Sequence, residues 1–263
     1  FEFTISWDVF KRQNFYWTTT LIGSTNKNIV TYIDGQEIIS GNQIIREGYP
    51  LYSYYLAESA GVDPETGNKL YWITEKDASG NETKVKTTSY TKAQNFRSIV
   101  GKRSPDLYGS WNNDFRFYNF DLSIMTTYSI GGVIYDNTYY GLLYHSYIGQ
   151  TGHVDRLKAW QKPGDVTNIP RIDFQGASKI TTTSDQLVSA SYFSLKNITF
   201  GYTLPAKIMG KINMDSLRIF LTADNIWLKS AIKGMDPQYS VFGVTGYTYT
   251  PTRTVSLGLD INF

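Results

Sequence analysis

The last segment of the chain alternates strictly between apolar and polar residues, and this pattern limits what the chain can fold into. From Val255 to Phe263 every second residue is apolar, and the residues between them are Ser256, Gly258, Asp260 and Asn262. Successive side chains of a β-strand point to opposite faces, so residues 252–263 are predicted to form a closing strand with one wholly apolar face.

The same alternation recurs along the chain in segments of about ten residues, the length with which a tilted strand crosses a membrane. Together with the last segment it predicts about nine strands. The others lie at residues 1–9, 15–24, 51–59, 69–74, 106–118, 119–130, 192–203 and 216–224.

Composition and hydropathy show which class of membrane protein the chain can belong to. Aromatic residues make up 16% of the 263 residues and charged residues only 18%, while mean hydropathy is −0.31. No run of about 18 apolar residues is present, so a helical membrane protein is excluded. A β-barrel in a membrane remains, because lipid-facing and inward-facing residues alternate along its strands.

The connections between the predicted strands alternate in length. Short ones lie at residues 11–14, 61–68, 117–120 and 204–215, and long ones at 26–50, 75–105, 133–191 and 227–250. Short turns on one side and long loops on the other are typical of an outer-membrane barrel. A soluble β-sandwich also shows alternation and stays open as the alternative, although several long loops on one side make it the less favoured one.

Strand parity predicts where the chain lies in its barrel. Bacterial barrels usually have an even number of strands with both termini in the periplasm, and nine is odd. We therefore expect Phe1 to lie near the outer side and to be an internal position. Residues 1–263 are predicted to be the C-terminal portion of one transmembrane barrel domain, with earlier strands preceding Phe1.

The residues argue against several classes of function. With no Cys and a net charge of +2 without charge blocks, cysteine-based sites and nucleic-acid binding are not indicated. His145 and His153 are the only histidines, and their spacing is poor for a metal site. No nucleophile elbow, phosphate-binding loop or dinucleotide motif is present. We predict no enzyme activity, no cofactor and no metal.

Seven strings that cover most of the chain carry a family resemblance. The strings are IREGYPLYSYYLAESAGVDPETGNKLYW at 45–72, SPDLYGSWNNDFRFYNFDLSIMTTYSIGGVIYD at 104–136, WQKPGDVTNIPR at 160–171, SLKNITFGYTLP at 194–205, LRIFLTADNIW at 217–227, KGMDPQYS at 233–240 and PTRTVSLGLDINF at 251–263. They resemble, in the same order, strings of the SusC/RagA family of TonB-dependent outer-membrane transporters of Bacteroidetes.

This resemblance implies a barrel of 22 strands with an N-terminal plug, located in the bacterial outer membrane. It implies uptake of large nutrients, usually oligosaccharides and sometimes peptides, with energy passed on by TonB. A SusD-like surface lipoprotein is the implied partner and lids the barrel. The plug and the TonB-contacting box are not within these 263 residues, so energy coupling depends on the remainder of the transporter.

Two groups of residues are candidates for function. Leu259, Ile261 and Phe263 look like the C-terminal signal by which barrel precursors are recognised for insertion. Loop aromatics are candidates for stacking on sugar rings or for contact with the lipoprotein lid, although such residues more often pack a long loop against itself. These aromatics are Tyr139, Tyr140, Tyr144, Tyr147 and Trp160.

Other aromatic residues are predicted to lie at strand ends, in the girdles at the two membrane surfaces. They are Trp7, Trp17, Trp111, Tyr202 and Trp227. The leading hypothesis for the chain is the barrel wall and outer loops of an active importer of large nutrients. A passive porin or a surface adhesin is the alternative within the barrel class, and a soluble carbohydrate-binding sandwich is the alternative outside it.

Overall fold

The structure, a computed structural model, describes residues 1–76, 80–144, 151–172, 182–209 and 214–263. Within these residues the strands are, in chain order, β1 (Glu2–Arg12), β2 (Phe15–Ser24), β3 (Ile38–Ser40), β4 (Gln43–Ile45), β5 (Ser53–Leu56), β6 (Ser59–Val62), β7 (Lys69–Lys76), β8 (Glu82–Thr87), β9 (Ser98–Lys102), β10 (Leu107–Phe117), β11 (Phe120–Ile130), β12 (Val133–Tyr135), β13 (Leu187–Ser189), β14 (Tyr192–Thr203), β15 (Ser216–Ser230) and β16 (Thr254–Asn262).

Helices are short in the same part of the chain. The α-helices are α1 (Tyr90–Gln94), α2 (Asn137–Tyr144) and α3 (Ala206–Met209), and the 3-10 helices are Val154–Lys158, Ser184–Gln186 and Pro237–Tyr239. No helix in the described residues is both long and apolar enough to cross a membrane.

The long strands form one antiparallel sheet of seven strands in the order β1-β2-β10-β11-β14-β15-β16, here called the large sheet. Tight links join β1 to β2 and β10 to β11, and residues 204–215 join β14 to β15. At the opposite end the connections are long, covering residues 25–106, 131–191 and 231–253. The predicted alternation of short and long connections is confirmed for this sheet.

Of the nine predicted strands, seven lie in the large sheet in the part of the chain that the structure describes. The segments at 51–59 and 69–74 do form strands, but these lie in separate sheets, β3-β4-β5-β9 and β6-β7-β8, within the long connection after β2. Their alternation of apolar and polar residues reflects small sheets that have one face packed against other loops. The short link predicted at 61–68 is a hairpin turn inside the second of these sheets. Seven is odd as well, so β1 and β16 run in the same direction, from the long connections toward the short turns.

One face of the large sheet is apolar across all seven strands. Near the short turns, neighbouring strands pair Phe15 with Phe117, Phe117 with Phe120, Phe120 with Tyr202, Tyr202 with Ile219, and Ile219 with Leu259. The other face carries polar residues such as Asp121, Thr199, Arg218 and Ser256. The period-two pattern therefore aligns from strand to strand, as the wall of a membrane barrel requires.

The apolar face is uncovered. Leu257 is 74% exposed and Trp7 66%, and in the described part of the chain no hydrophobic residue of these seven strands is buried. A sandwich would cover this face with a second sheet, because one apolar face of each sheet forms its core. A contiguous exposed apolar surface of this extent fits contact with lipid and does not fit a soluble sandwich.

Aromatic residues crowd the apolar face near the short turns. Trp17 stacks on Phe115 with centroids 5.5 Å apart, and Phe120 stacks on Phe200 at 5.7 Å. Trp7 and Trp111, however, lie in the middle of their strands, so their predicted place at strand ends is wrong. Trp111 donates its indole N–H to Thr19 Oγ1 at 2.8 Å, and the Thr19 hydroxyl donates in turn to the Asn112 carbonyl at 3.4 Å. The indole N–H is therefore paired on the apolar face.

The buried core lies in the long connections. Ala57, Tyr71, Ile73 and Ala93 form one buried cluster, and Tyr54, Leu56 and Tyr135 form a second. A third consists of Leu143, Ala159 and Ile169. We call the described residues within 25–106, 131–191 and 231–253 together the loop layer. These three clusters pack the loop layer at one end of the large sheet.

Candidate functional site

One buried hydroxyl joins all three long connections. Tyr54 is fully buried, and its O–H lies 2.5 Å from the carbonyl oxygen of Gly243 and 3.1 Å from that of Val133. These three residues belong to the connections after β2, β15 and β11, respectively. Burial raises the pKa of Tyr54 to about 12, so the phenol stays protonated and able to donate.

Arg103 also binds the connection after β15, at positions different from the one that Tyr54 contacts. Its Nη2 donates to the carbonyls of Pro237 at 2.8 Å and Ser240 at 2.9 Å, and its Nε donates to Ser240 at 3.1 Å. Burial lowers the pKa of Arg103, yet a guanidinium remains charged in proteins. Carbonyl oxygens take the place of a carboxylate partner and anchor the 3-10 helix Pro237–Tyr239.

Tyr135 and Asp136 also bind the connection after β15, through Gly243 and Thr245. The backbone N–H of Tyr135 donates to Gly243 at 2.7 Å, and Thr245 N–H donates back to Tyr135 at 2.9 Å. The buried Asp136 carboxylate accepts from Thr245 Oγ1 at 3.0 Å and from the Tyr139 N–H at 3.1 Å. Burial raises the pKa of Tyr135 to about 12, and its O–H donates to Gln186 at 2.6 Å.

A groove with a volume of about 500 Å³ opens between α2 and the connection after β15. Asp136, Thr138, Tyr139 and His153 lie on one side of the groove. Tyr239, Thr245, Thr248 and Tyr249 lie on the other. The aromatic rings can stack on a ligand, and the hydroxyl and carboxylate groups can hydrogen-bond to it. This combination suits a polar organic molecule.

Tyr139 is fixed in the groove wall. Its O–H donates to Asp155 Oδ2 at 2.9 Å, and its ring lies edge-on to His153 with centroids 4.8 Å apart. Burial, followed by the nearby Asp155, raises the pKa of Tyr139 to about 12. Hydrogen bonds from Lys158 and Tyr139 lower the pKa of Asp155. The Tyr139 phenol is therefore neutral and oriented before any ligand arrives.

The structure separates the predicted loop aromatics. Tyr139 lines the groove, whereas Tyr140 packs near Tyr135 with ring centroids 6.4 Å apart. Trp160 donates its indole N–H to the Pro64 carbonyl at 2.8 Å and covers Gly67, where an added Cβ would lie 2.4 Å from the indole ring. Tyr147 and the side chain of Tyr144 lie outside the described residues. Contact of these residues with substrate or lid stays a prediction.

Sequence reasoning missed the opposite wall of the groove. Tyr249 is 97% exposed and Tyr239 52%, and both belong to the connection after β15. The repeated aromatic and threonine pattern of residues 247–250 was the available signal. It is short and does not resemble any regular element, so it stood out less than the aromatics near residue 140.

The residues of the predicted insertion signal lie on the apolar face. Ile261 pairs with Leu217, and Leu259 pairs with Ile219, while Phe263 follows the end of β16 and is 83% exposed. This placement leaves all three side chains available to lipid or to another protein. Their role in insertion stays a prediction. Within the described residues, no group of three potential metal ligands was found.

Comparison with known proteins agrees with this architecture. TonB-dependent receptor P3 of Formosa agariphila is 27% identical over the whole chain, and receptor P26 of the same organism is 25% identical. The chain spans 28% of the length of each of these relatives. The relatives that match the whole chain are receptors and transporters, not enzymes. No protein-family model matches the chain.

Solved structures share the fold. The RagAB peptide transporter superposes with a TM-score of 0.86 at 22% identity, over 100% of this chain and 29% of that one. The RagAB peptide importer in its open-open state gives a TM-score of 0.83 at 20% identity, over 100% of this chain and 28% of that one. These likenesses support the predicted resemblance: the chain is similar to TonB-dependent receptors over its whole length, and its fold superposes on part of the RagAB transporter.

Proposed function

We propose that this chain forms part of the wall and the outer loops of a TonB-dependent importer of large nutrients in a bacterial outer membrane. The observation that carries the proposal is the continuous exposed apolar face of the large sheet, opposite a polar face, in a chain that matches TonB-dependent receptors throughout. Long loops at one end then face the medium, and short turns face the periplasm.

We further propose oligosaccharide as the substrate class, with peptide second. The groove supports this choice through aromatic rings, threonine hydroxyls and the Asp136 carboxylate. Sugar rings stack on aromatic faces, and their hydroxyls bond to such polar groups. The RagAB neighbours are described as a peptide transporter, which keeps peptide as the second candidate.

The proposed partner is a SusD-like surface lipoprotein that covers the loop layer. An exposed apolar patch on the loops supports this idea. Val241 is 73% exposed and Phe242 65%, and the Phe242 ring lies edge-on to Tyr52 with centroids 5.9 Å apart. The Gln43 side chain donates to the Phe242 carbonyl at 2.7 Å and fixes the backbone beneath the patch.

Uptake by cells that carry the full-length transporter tests this function. Labelled oligosaccharides and peptides of matched size are offered to wild-type cells, to cells without the transporter and to cells without TonB. We expect oligosaccharide uptake that is lost in both deletion strains. Uptake that persists without TonB indicates a passive porin, and uptake of peptide alone overturns the proposed substrate class.

Tyr249→Ala tests the groove. Loss of one stacking ring is expected to weaken substrate binding by roughly two- to tenfold. Tyr32→Ala is the matched control, because Tyr32 is also highly exposed on the loop layer, at 72%, but does not line the groove. Equal effects of the two substitutions would exclude a specific role for the groove.

A further inference from the structure

Four positively charged side chains surround a notch at the end of the large sheet where the long connections begin. Lys196 of β14, Lys229 of β15, and Lys233 and Arg253 of the connection after β15 line this cavity of about 580 Å³, here called the basic notch. The notch exists because β15 continues to Ser230, whereas β16 pairs with β15 only up to residue 224. Room is thus left beside residues 225–230.

The four cations lack acidic partners within the described part of the chain. Arg253 Nη2 instead donates to the carbonyl of Ile226 at 2.7 Å, which holds the guanidinium at the wall. Asp236 also lines the notch, where its Oδ1 accepts from both the backbone and the side-chain nitrogen of Gln238, each at 3.0 Å. The lining therefore holds four basic side chains and one acidic side chain. The whole chain carries a net charge of only +2, so these cations concentrate positive charge at one place.

The position of Trp227 shows where the basic notch lies relative to the apolar face. Trp227 lines the notch, is 50% exposed and pairs with Leu195. Its ring lies edge-on to Phe193, with centroids 6.3 Å apart. Tryptophan prefers the boundary between hydrocarbon and headgroups, and long basic side chains extend from that boundary toward polar groups. The notch therefore lies where the apolar face ends.

We propose that the basic notch binds the phosphate-bearing headgroup of a lipid in the outer leaflet. Lysine and arginine supply the charge and hydrogen bonds that a phosphate needs, and Trp227 with Phe193 offers an apolar surface for the start of the acyl chains. This second feature favours a membrane lipid over a free phosphate ion. The inference rests on the proposed membrane location of the large sheet.

Native mass spectrometry of the full-length transporter in detergent tests the proposal. The probes are dioleoyl phosphatidic acid, dioleoyl phosphatidylcholine and inorganic phosphate. We compare the wild type with a variant carrying Lys196→Gln, Lys229→Gln, Lys233→Gln and Arg253→Gln. A matched control carries the same change of charge at exposed lysines of the loop layer, through Lys27→Gln, Lys76→Gln, Lys92→Gln and Lys162→Gln.

The wild type and the loop control are expected to retain phosphatidic acid over phosphatidylcholine, and the notch variant to bind phosphatidic acid about tenfold more weakly. Equal retention by the notch variant and the control overturns the proposal. Displacement of phosphatidic acid by equimolar inorganic phosphate would show a free-anion site and overturns the lipid source. Because the readout is lipid binding, a transporter that imports nothing but keeps this preference contradicts only the proposed function.

Discussion

Arg218 of β15 reaches across Gly201 of β14 and pairs with Asp121 of β11. Its Nε lies 2.9 Å from Asp121 Oδ1 and its Nη2 lies 2.5 Å from Oδ2. A Cβ built on Gly201 would lie 2.5 Å from Asp121 Oδ1 and 2.6 Å from Arg218 Nε. The glycine therefore leaves the space in which an ion pair ties three neighbouring strands together on their polar face.

Gly201→Ala should break or displace this ion pair. Hydrogen bonds that involve charged groups contribute about 1.5–3 kcal/mol each, so we expect a clear loss of barrel stability. The measurement is the temperature at which the full-length transporter loses its heat-modifiable migration on gels. Gly246→Ala serves as the control, because no atom lies within 4 Å of the Cβ added there. An unchanged unfolding temperature for Gly201→Ala would show that the ion pair does not stabilise the barrel.

Tyr54→Phe should loosen the loop layer while leaving the large sheet intact. The substitution leaves the Gly243 and Val133 carbonyls without the hydroxyl donor, at a cost of about 1–3 kcal/mol. Hydrogen exchange is expected to accelerate in residues 240–245 and to stay constant in β14 and β15. Tyr52→Phe is the matched control, since Tyr52 is partly exposed. Equal protection of residues 240–245 in the wild type and in Tyr54→Phe would contradict the proposed attachment.

The loop layer should also loosen at high pH. The pKa of Tyr54 and that of Tyr135 are raised from 10.0 to about 12, so the folded state keeps protons that the unfolded state releases. The stability from the neutral phenols is complete below about pH 10 and is lost as pH rises through about 12.

A spin label introduced by Phe242→Cys, on a chain segment without native cysteine, reports this change. Its mobility is expected to rise between about pH 10 and pH 12. With Tyr54→Phe and Tyr135→Phe in the same protein, the transition should shrink or vanish. A transition of the same size in that variant would assign the effect to other groups.

Phe263→Ser tests the predicted insertion signal. We expect less transporter in the outer membrane and more degradation, because a polar end of β16 would no longer resemble the signal. Val255→Ser is the control, since Val255 lies on the same face of β16 but at its other end. Quantitative blotting of outer-membrane fractions makes the measurement. Equal loss in the two variants would indicate that any polar residue on this face disturbs assembly.

The large sheet could be predicted because each strand carries its own signal. The alternation in β11 or β16 follows from contact with two different environments, and it can be read without knowledge of the neighbouring strands. The segments at 51–59 and 69–74 carry the same signal for another reason. A small sheet that packs against loops also has a buried face, and local pattern alone does not separate the two situations.

The site was less predictable because it depends on contacts between distant residues. Tyr54 and Gly243 are 189 positions apart, and neither belongs to a motif that indicates their contact. Tyr139 could be named as a candidate from its aromatic neighbours, but Trp160 looked equivalent and instead packs on Pro64 and Gly67. Which loop aromatic faces a groove is decided by tertiary packing.

The central claim is that one face of the large sheet contacts lipid. Single cysteines placed in turn at residues 254–261 of β16 in the full-length transporter, spin-labelled in a bilayer, test it directly. Positions 255, 257, 259 and 261 should be accessible to dissolved oxygen, and positions 254, 256, 258 and 260 to a water-soluble nickel complex. Such a period of two is the predicted result. Equal access of the water-soluble reagent to both sets of positions would contradict the account.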